Sequence, residues 1–157
     1  MPIMTVQSFA AGAAEADFVC VDTADARSVS RLRQDLGRWL RTQVTLDREK
    51  LDDVLLAVNE ALTNSAEFAY RGRPRPGTMA LQVHFDAREG VLLVKVSDHG
   101  TWRHVDPADQ PNTRGRGIPL MRALADDTTI SHTPNGTNVR MRFGDCARLH
   151  AQAYAAV

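Results

Sequence analysis

Apolar residues recur along the chain in two rhythms. In DTADARSVSRLRQDLGRWLRTQ, residues 22–43, Val29, Leu32, Leu36, Trp39 and Leu40 fall at helical spacing, with Asp22 or Thr23 placed to cap the first turn. From Asp47 to Tyr70 a second helix presents Leu51, Val54, Leu55, Val58 and Leu62 as one stripe, and RGRPRPG ends it with glycine and proline. The rhythm then becomes alternation. TMALQVHFDA puts Leu81, Val83 and Phe85 on one face, VLLVKVSD follows after the turn REG, and GTNVRMRF turns Val139, Met141 and Phe143 inward. DFVCV and TTISH read as further strands, and RGRGIPLMRALAD as a third helix. The polar stretch HGTWRHVDPADQPNT is too long for an ordinary connection, and loops of that length in a compact domain usually carry function or lack order.

The element order is one strand, two helices, a strand hairpin, a loop, a helix and two more strands. It predicts an α/β (α+β) two-layer sandwich with a mixed, largely antiparallel sheet and helices on one face. It also excludes two nucleotide motifs that the RGRG run suggests. A Rossmann fingerprint needs GxGxxG after the first strand of a parallel unit, and a P-loop needs GK[ST]. With 157 residues, 43% of them apolar, the chain has enough for one core. Residues 16–144 are expected to form the domain, between an N-terminal tail over 1–15 and a C-terminal tail over 145–157.

Nineteen basic and nineteen acidic residues cancel, which argues against direct nucleic-acid binding and against an anionic membrane surface, since both need a positive face. The N-terminus lacks a basic leader and carries Glu15 and Asp17. No apolar run approaches the roughly 18 residues a membrane span needs. Cys20 and Cys146 match no metal or redox spacing, and such sparse use suits inert thiols in a reducing compartment. The expectation is a soluble cytoplasmic protein. Arg27, Arg31, Arg38 and Arg41 on the first helix form either a solvated face or a partner-docking surface.

Chemistry can reside in four places. Within NEALTNSAEFAY, Glu60, Asn64 and Glu67 fall opposite the apolar stripe at about 100° per residue. They are either a solvated surface or, with an asparagine that is a poor mid-helix residue, a carboxylate and carboxamide able to hold Mg2+ and a polarised nucleophile. In VLLVKVSDHG, Asp98 shares parity with Leu92, Val94 and Val96, so its carboxylate points to the core side where the strand ends. It either caps the turn at His99-Gly100 or accepts a hydrogen bond from an exocyclic amino group such as adenine N6, with Gly100 letting a planar ring approach. NTRGRGIPL sets Arg114, Gly115, Arg116 and Gly117 before a helix with Pro119 in its first turn, an arrangement suited to an anion. Thr137 has the parity of Val139 and Met141, so its hydroxyl faces the same interior as Asp98.

Taken in this order, the four segments resemble the boxes of the Bergerat ATP-binding fold shared by gyrase-type ATPases, sensor histidine kinases and anti-sigma-factor serine kinases. NEALTNSAEFAY is similar to the N box, E-A-x-x-N-A-x-x-H; SDHG resembles the first glycine box, D-x-G-x-G; RGRGIPLMRALAD resembles the second, and NGTNVRMRF the last. The likeness spans roughly residues 20 to 143 and is greatest to the anti-sigma-factor serine/threonine kinases.

It implies ATP and Mg2+ as cofactors, with Asn64 coordinating the metal and Glu60 the general base toward a serine hydroxyl. By the same resemblance Asp98 binds adenine N6, Gly100 and Thr137 border the adenine, and Arg114, Gly115, Arg116 and Gly117 line the triphosphate. The implied partners are a sigma factor and an anti-sigma-factor antagonist, with a homodimer possible. Trp102 stands where the first glycine box has its second glycine, and Phe68 where many N boxes have histidine. Trp102 favours the alternative of a nucleotide-dependent binding module without transfer.

Overall fold

The computed structural model describes residues 16–101 and 117–148. In chain order they form β1 (Phe18–Thr23), α1 (Ala26–Gln43), β2 (Val44–Thr45), α2 (Arg48–Asn64), a π-helical turn (Ser65–Ala69), β3 (Thr78–Asp86), β4 (Val91–Asp98), α3 (Gly117–Leu124), β5 (Asp127–Thr133), β6 (Gly136–Phe143) and β7 (Ala147–Arg148). Five strands make one sheet in the order β1-β3-β4-β6-β5, and β2 pairs with β7 in a separate ribbon.

Among the described residues every pairing is antiparallel, so the expected mixed sheet is a purely antiparallel one. The connectivity explains this. β4 and β5 both run opposite to β6, which inserts between them, so these two parallel strands never pair. Residues 147 and 148, expected in a tail, pair with Thr45 and Val44.

Alternation on the strands generates the core. Leu92, Val94 and Val96 of central β4 lie opposite Phe85, Val83 and Leu81 of β3 and opposite Phe143, Met141 and Val139 of β6. All are buried, together with Leu32, Leu36 and Leu40 of α1, Val54, Val58 and Leu62 of α2, and Met121 of α3. No helix among the described residues is long and apolar enough to cross a membrane.

Two helix boundaries differ from the sequence expectation. β1 continues to Thr23, which pairs with Thr78, so neither Asp22 nor Thr23 caps α1. The cap is Asp25, whose side chain accepts the Ser28 N–H at 2.8 Å, while Asp22 pairs with Arg31 at 2.6 Å. The second helix does not run uniformly to Tyr70. It is α-helical only to Asn64 and then widens into the π turn. Wide turns of this kind change which side chains face inward and frequently mark functional sites.

The π turn is fastened to the end of β4. The Tyr70 hydroxyl donates to the Thr78 carbonyl and accepts the His99 N–H at 2.9 Å. The Thr101 N–H donates to the Ala69 carbonyl at 2.8 Å. Gly100 passes so close that a Cβ there would stand 2.0 Å from that carbonyl oxygen, an overlap that excludes any side chain.

Three outcomes follow for stability and reactivity. Tyr70→Phe removes two hydrogen bonds and leaves the His99 N–H unanswered, lowering unfolding free energy by about 1–3 kcal/mol in urea titration with an unchanged slope. Gly100→Ala forces the Ala69 backbone aside and costs at least as much by the same measurement, about 1–3 kcal/mol or more. Cys20 and Cys146 are both free and buried. Burial, reinforced by Asp35 and Asp22, pushes the Cys20 thiol up from 9.0 to about 11, and burial raises Cys146 as well. Folding therefore favours protonated Cys20 below about 9 and loses that contribution as pH climbs toward about 11. Both thiols are expected to resist iodoacetamide at pH near 8 until denaturant is added, as mass spectrometry would register.

Candidate functional site

α2 is the middle helix of the layer, packed against α1 on one flank, α3 on the other and β4 beneath. Its polar positions are divided between these neighbours. On the α1 side Arg33 donates to the Asn59 carboxamide oxygen at 2.9 Å. On the α3 side a Cβ built on Gly117 would stand 3.2 Å from Glu60 Oε2 and 3.3 Å from both Asn64 Oδ1 and Nδ2. A side chain at Gly117 would press on both groups, so the start of α3 lies close over this pair.

Of the two readings of this face, a fully solvated one does not hold. Asn64 is only 8% exposed, and Glu60 and Glu67 are half-buried. The apolar stripe locates the side of a helix that faces the sheet. A middle helix also covers its flanks, and those carry no comparable pattern.

Below this pair lies a second polar cluster. Asp98 ends β4 on the helix side of the sheet and is 4% exposed. Its Oδ2 accepts the Ser65 hydroxyl at 2.8 Å and its Oδ1 accepts the Gly100 N–H at 3.1 Å. Burying a carboxylate is costly unless donors meet it, and these two donors do so. Of the two roles the sequence offered, the turn cap is filled by Oδ1 through the Gly100 N–H, while Oδ2 is turned to the Ser65 hydroxyl.

Thr137 sits directly across from Asp98 in the β4–β6 register and is 2% exposed. Its hydroxyl is 3.2 Å from His132 Nδ1 on β5. The backbone beside it is held close by Gly136, at φ 147°, where a Cβ would stand 2.0 Å from the Asp98 carbonyl oxygen. That conformation and that approach both require glycine.

Of the residues singled out in the sequence, Glu60, Asn64 and Gly117 come together under α3, and Asp98, Gly100 and Thr137 come together at the sheet end. Asn64 and Ser65, adjacent in sequence, join the clusters. Arg114, Gly115, Arg116 and Trp102 lie outside the described residues. Ser65, Tyr70 and His132 were not anticipated. Ser65 had a signal, because the N-box pattern writes alanine at its position. Tyr70 and His132 had none, since a π turn obeys no helical count and an edge-strand histidine reads as solvated.

Among the described residues no group of three or more His, Cys, Asp or Glu side chains converges as a metal cage. Magnesium bound mainly through a ligand's phosphates needs only one or two protein oxygens. Asn64 presents such an oxygen, and Glu60 lies one helical turn away. The first residue of α3, Gly117, lies beside this pair, and helix N-termini are favourable to anionic oxygen.

Residues 23–143 match the histidine kinase-like ATPase domain family. The serine-protein kinase RsbW of Staphylococcus aureus is 28% identical over 128 residues, covering 73% of this chain and 78% of that protein. The same kinase from strain MRSA252 is 27% identical over 132 residues, covering 75% and 80%. Among solved structures, the RsbU and RsbW domains of Rv1364c from Mycobacterium tuberculosis superpose with a TM-score of 0.61 at 19% identity, over 81% of this chain and 32% of that one. That last similarity is one of fold, and it reproduces the helices-on-sheet arrangement described above. The chain belongs to the histidine kinase-like ATPase domain family.

Proposed function

We propose that this protein is an ATP- and Mg2+-dependent anti-sigma-factor serine/threonine kinase that sequesters a sigma factor and phosphorylates an anti-sigma-factor antagonist. The observation that carries the proposal is the meeting of Glu60, Asn64 and Gly117, which puts a carboxylate, an oxygen ligand and a helix start within one small space. Family membership and similarity to kinases named for serine transfer support it.

Each residue then has one task. Asn64 offers its carboxamide oxygen to Mg2+, whose chemistry when bound is to neutralise phosphate charge and hold the phosphates in place. Glu60 accepts the proton of the attacking serine hydroxyl. Gly117 begins the helix whose N–H groups face the phosphates, and Arg114, Gly115 and Arg116 are assigned to the same phosphates by resemblance alone. Asp98 accepts from the exocyclic amino group of adenine, with Gly100 and Thr137 beside the ring. Phosphoryl transfer demands mostly positioning and charge neutralisation, and this set supplies both.

Trp102 supports a second reading, a module that binds its partner in a nucleotide-dependent way without transferring phosphate. Incubation with labelled ATP, Mg2+ and candidate antagonist proteins separates the two. The kinase reading expects labelled antagonist and a loss of rate of about 10²-fold or more in Glu60→Gln, with ATP still bound. No label under any condition, together with ATP-dependent partner capture that survives Glu60→Ala, would leave only the binding module.

A further inference from the structure

The contact between Ser65 and Asp98 is one that the N-box pattern does not provide for, because that pattern places alanine where this chain has serine. Ser65 stands on the π turn, 2% exposed, and directs its hydroxyl to Asp98 Oδ2 at 2.8 Å. The other carboxylate oxygen takes the Gly100 N–H at 3.1 Å.

An aspartate's terminal torsion is broad and roughly two-fold, so one donor on one oxygen leaves the carboxylate plane free to turn. A second donor on the second oxygen, from a different element, sets that plane. Both donors are themselves held in place. The π turn is tied to the strand end through Tyr70 and through the Ala69 carbonyl, and Gly100 lies within the same close contact.

The direction of the bond has a chemical consequence. A serine hydroxyl has a single proton, and here that proton is directed to Asp98. The pair therefore presents oxygen lone pairs to any neighbouring group, and Ser65 has no proton left to offer a carbonyl. A purine with an exocyclic amino group at its 6-position can donate to such a wall. A purine with a 6-keto oxygen meets lone pairs with a lone pair, and a buried site built to accept from N–H discriminates strongly against the analogue that lacks it.

We propose that Ser65 is a positioning residue that sets 6-amino over 6-keto purine selectivity in this chain by fixing the plane of the Asp98 carboxylate. The inference rests on the assignment of Asp98 to adenine made above, and it adds a determinant that the resemblance does not contain.

The experiment is a set of calorimetric titrations of the full chain with Mg2+ and ATP, GTP or ITP, on wild type, Ser65→Ala and Ser65→Thr, with a thermal melt of each. Wild type should favour ATP over GTP and ITP by about 100-fold or more. Ser65→Ala should lose about tenfold in ATP affinity while ITP is unchanged, narrowing the ratio by the same factor. Ser65→Thr, which keeps the hydroxyl, should restore the ratio to within about twofold.

A ratio unchanged in Ser65→Ala, an equal loss for ATP and ITP, or a threonine variant that behaves like alanine would each overturn the positioning role while leaving ATP binding intact. Wild type that binds none of the three nucleotides removes the adenine assignment and this inference with it. If the melt shows Ser65→Ala unfolded, Ser65→Cys, a weaker donor of similar bulk, is judged by the same ratio and should fall between wild type and the expected alanine value.

Discussion

A carboxylate buried at the end of the central strand imposes more on this fold than any other single group. Asp98 is placed inward by strand parity, where an ion without donors is expensive. Its donors come from the π turn and from the turn that follows the strand. To deliver them, the chain after α2 must lie against the end of β4. That contact leaves no room for a side chain at Gly100, while Gly136 brings the neighbouring strand equally close from the other side. Two glycines, a serine and a tyrosine in separate elements are thereby linked to one acidic residue.

The same contact places the two halves of the site. Asn64 ends α2 and Ser65 begins the π turn, so the residue beside the α3 start and the residue that meets Asp98 are consecutive. The change from α-helix to π turn falls between these two residues, and both are buried. The π turn thus brings the region assigned to phosphate and the region assigned to the base to opposite ends of one peptide unit.

α2 also shows how a middle helix differs from an edge one. Its apolar stripe meets the sheet, while Asn59 is engaged by α1 and Glu60 and Asn64 lie under α3. Polar side chains on those flanks are partly or wholly buried without belonging to the hydrophobic core. They are confined at the seams between helices, where small changes in the position of α3 alter which groups can reach them.

The chain's periodicities were sufficient to predict the three helices and the five strands of the main sheet in their order, though not the short β2–β7 ribbon or the π turn, and with them the inward parity of Asp98 and Thr137 and the glycine-led start of α3. These are local properties: a period of two or of 3.6 and a run of glycines act within a few residues and need no knowledge of the rest of the chain. Only the tertiary structure decided that the sheet is wholly antiparallel, that Asp25 rather than Asp22 or Thr23 caps α1, that α2 yields to a π turn, and that Asn64 is buried. Each of those depends on which element lies alongside. β6 separates two parallel strands, the pairing of Thr23 with Thr78 extends β1, and α3 covers a flank that composition marks as polar. The Ser65 hydroxyl belongs to the same class. Its identity is written in the sequence, but its partner is 33 residues away, and only packing of the π turn on the strand end brings the two within hydrogen-bonding distance.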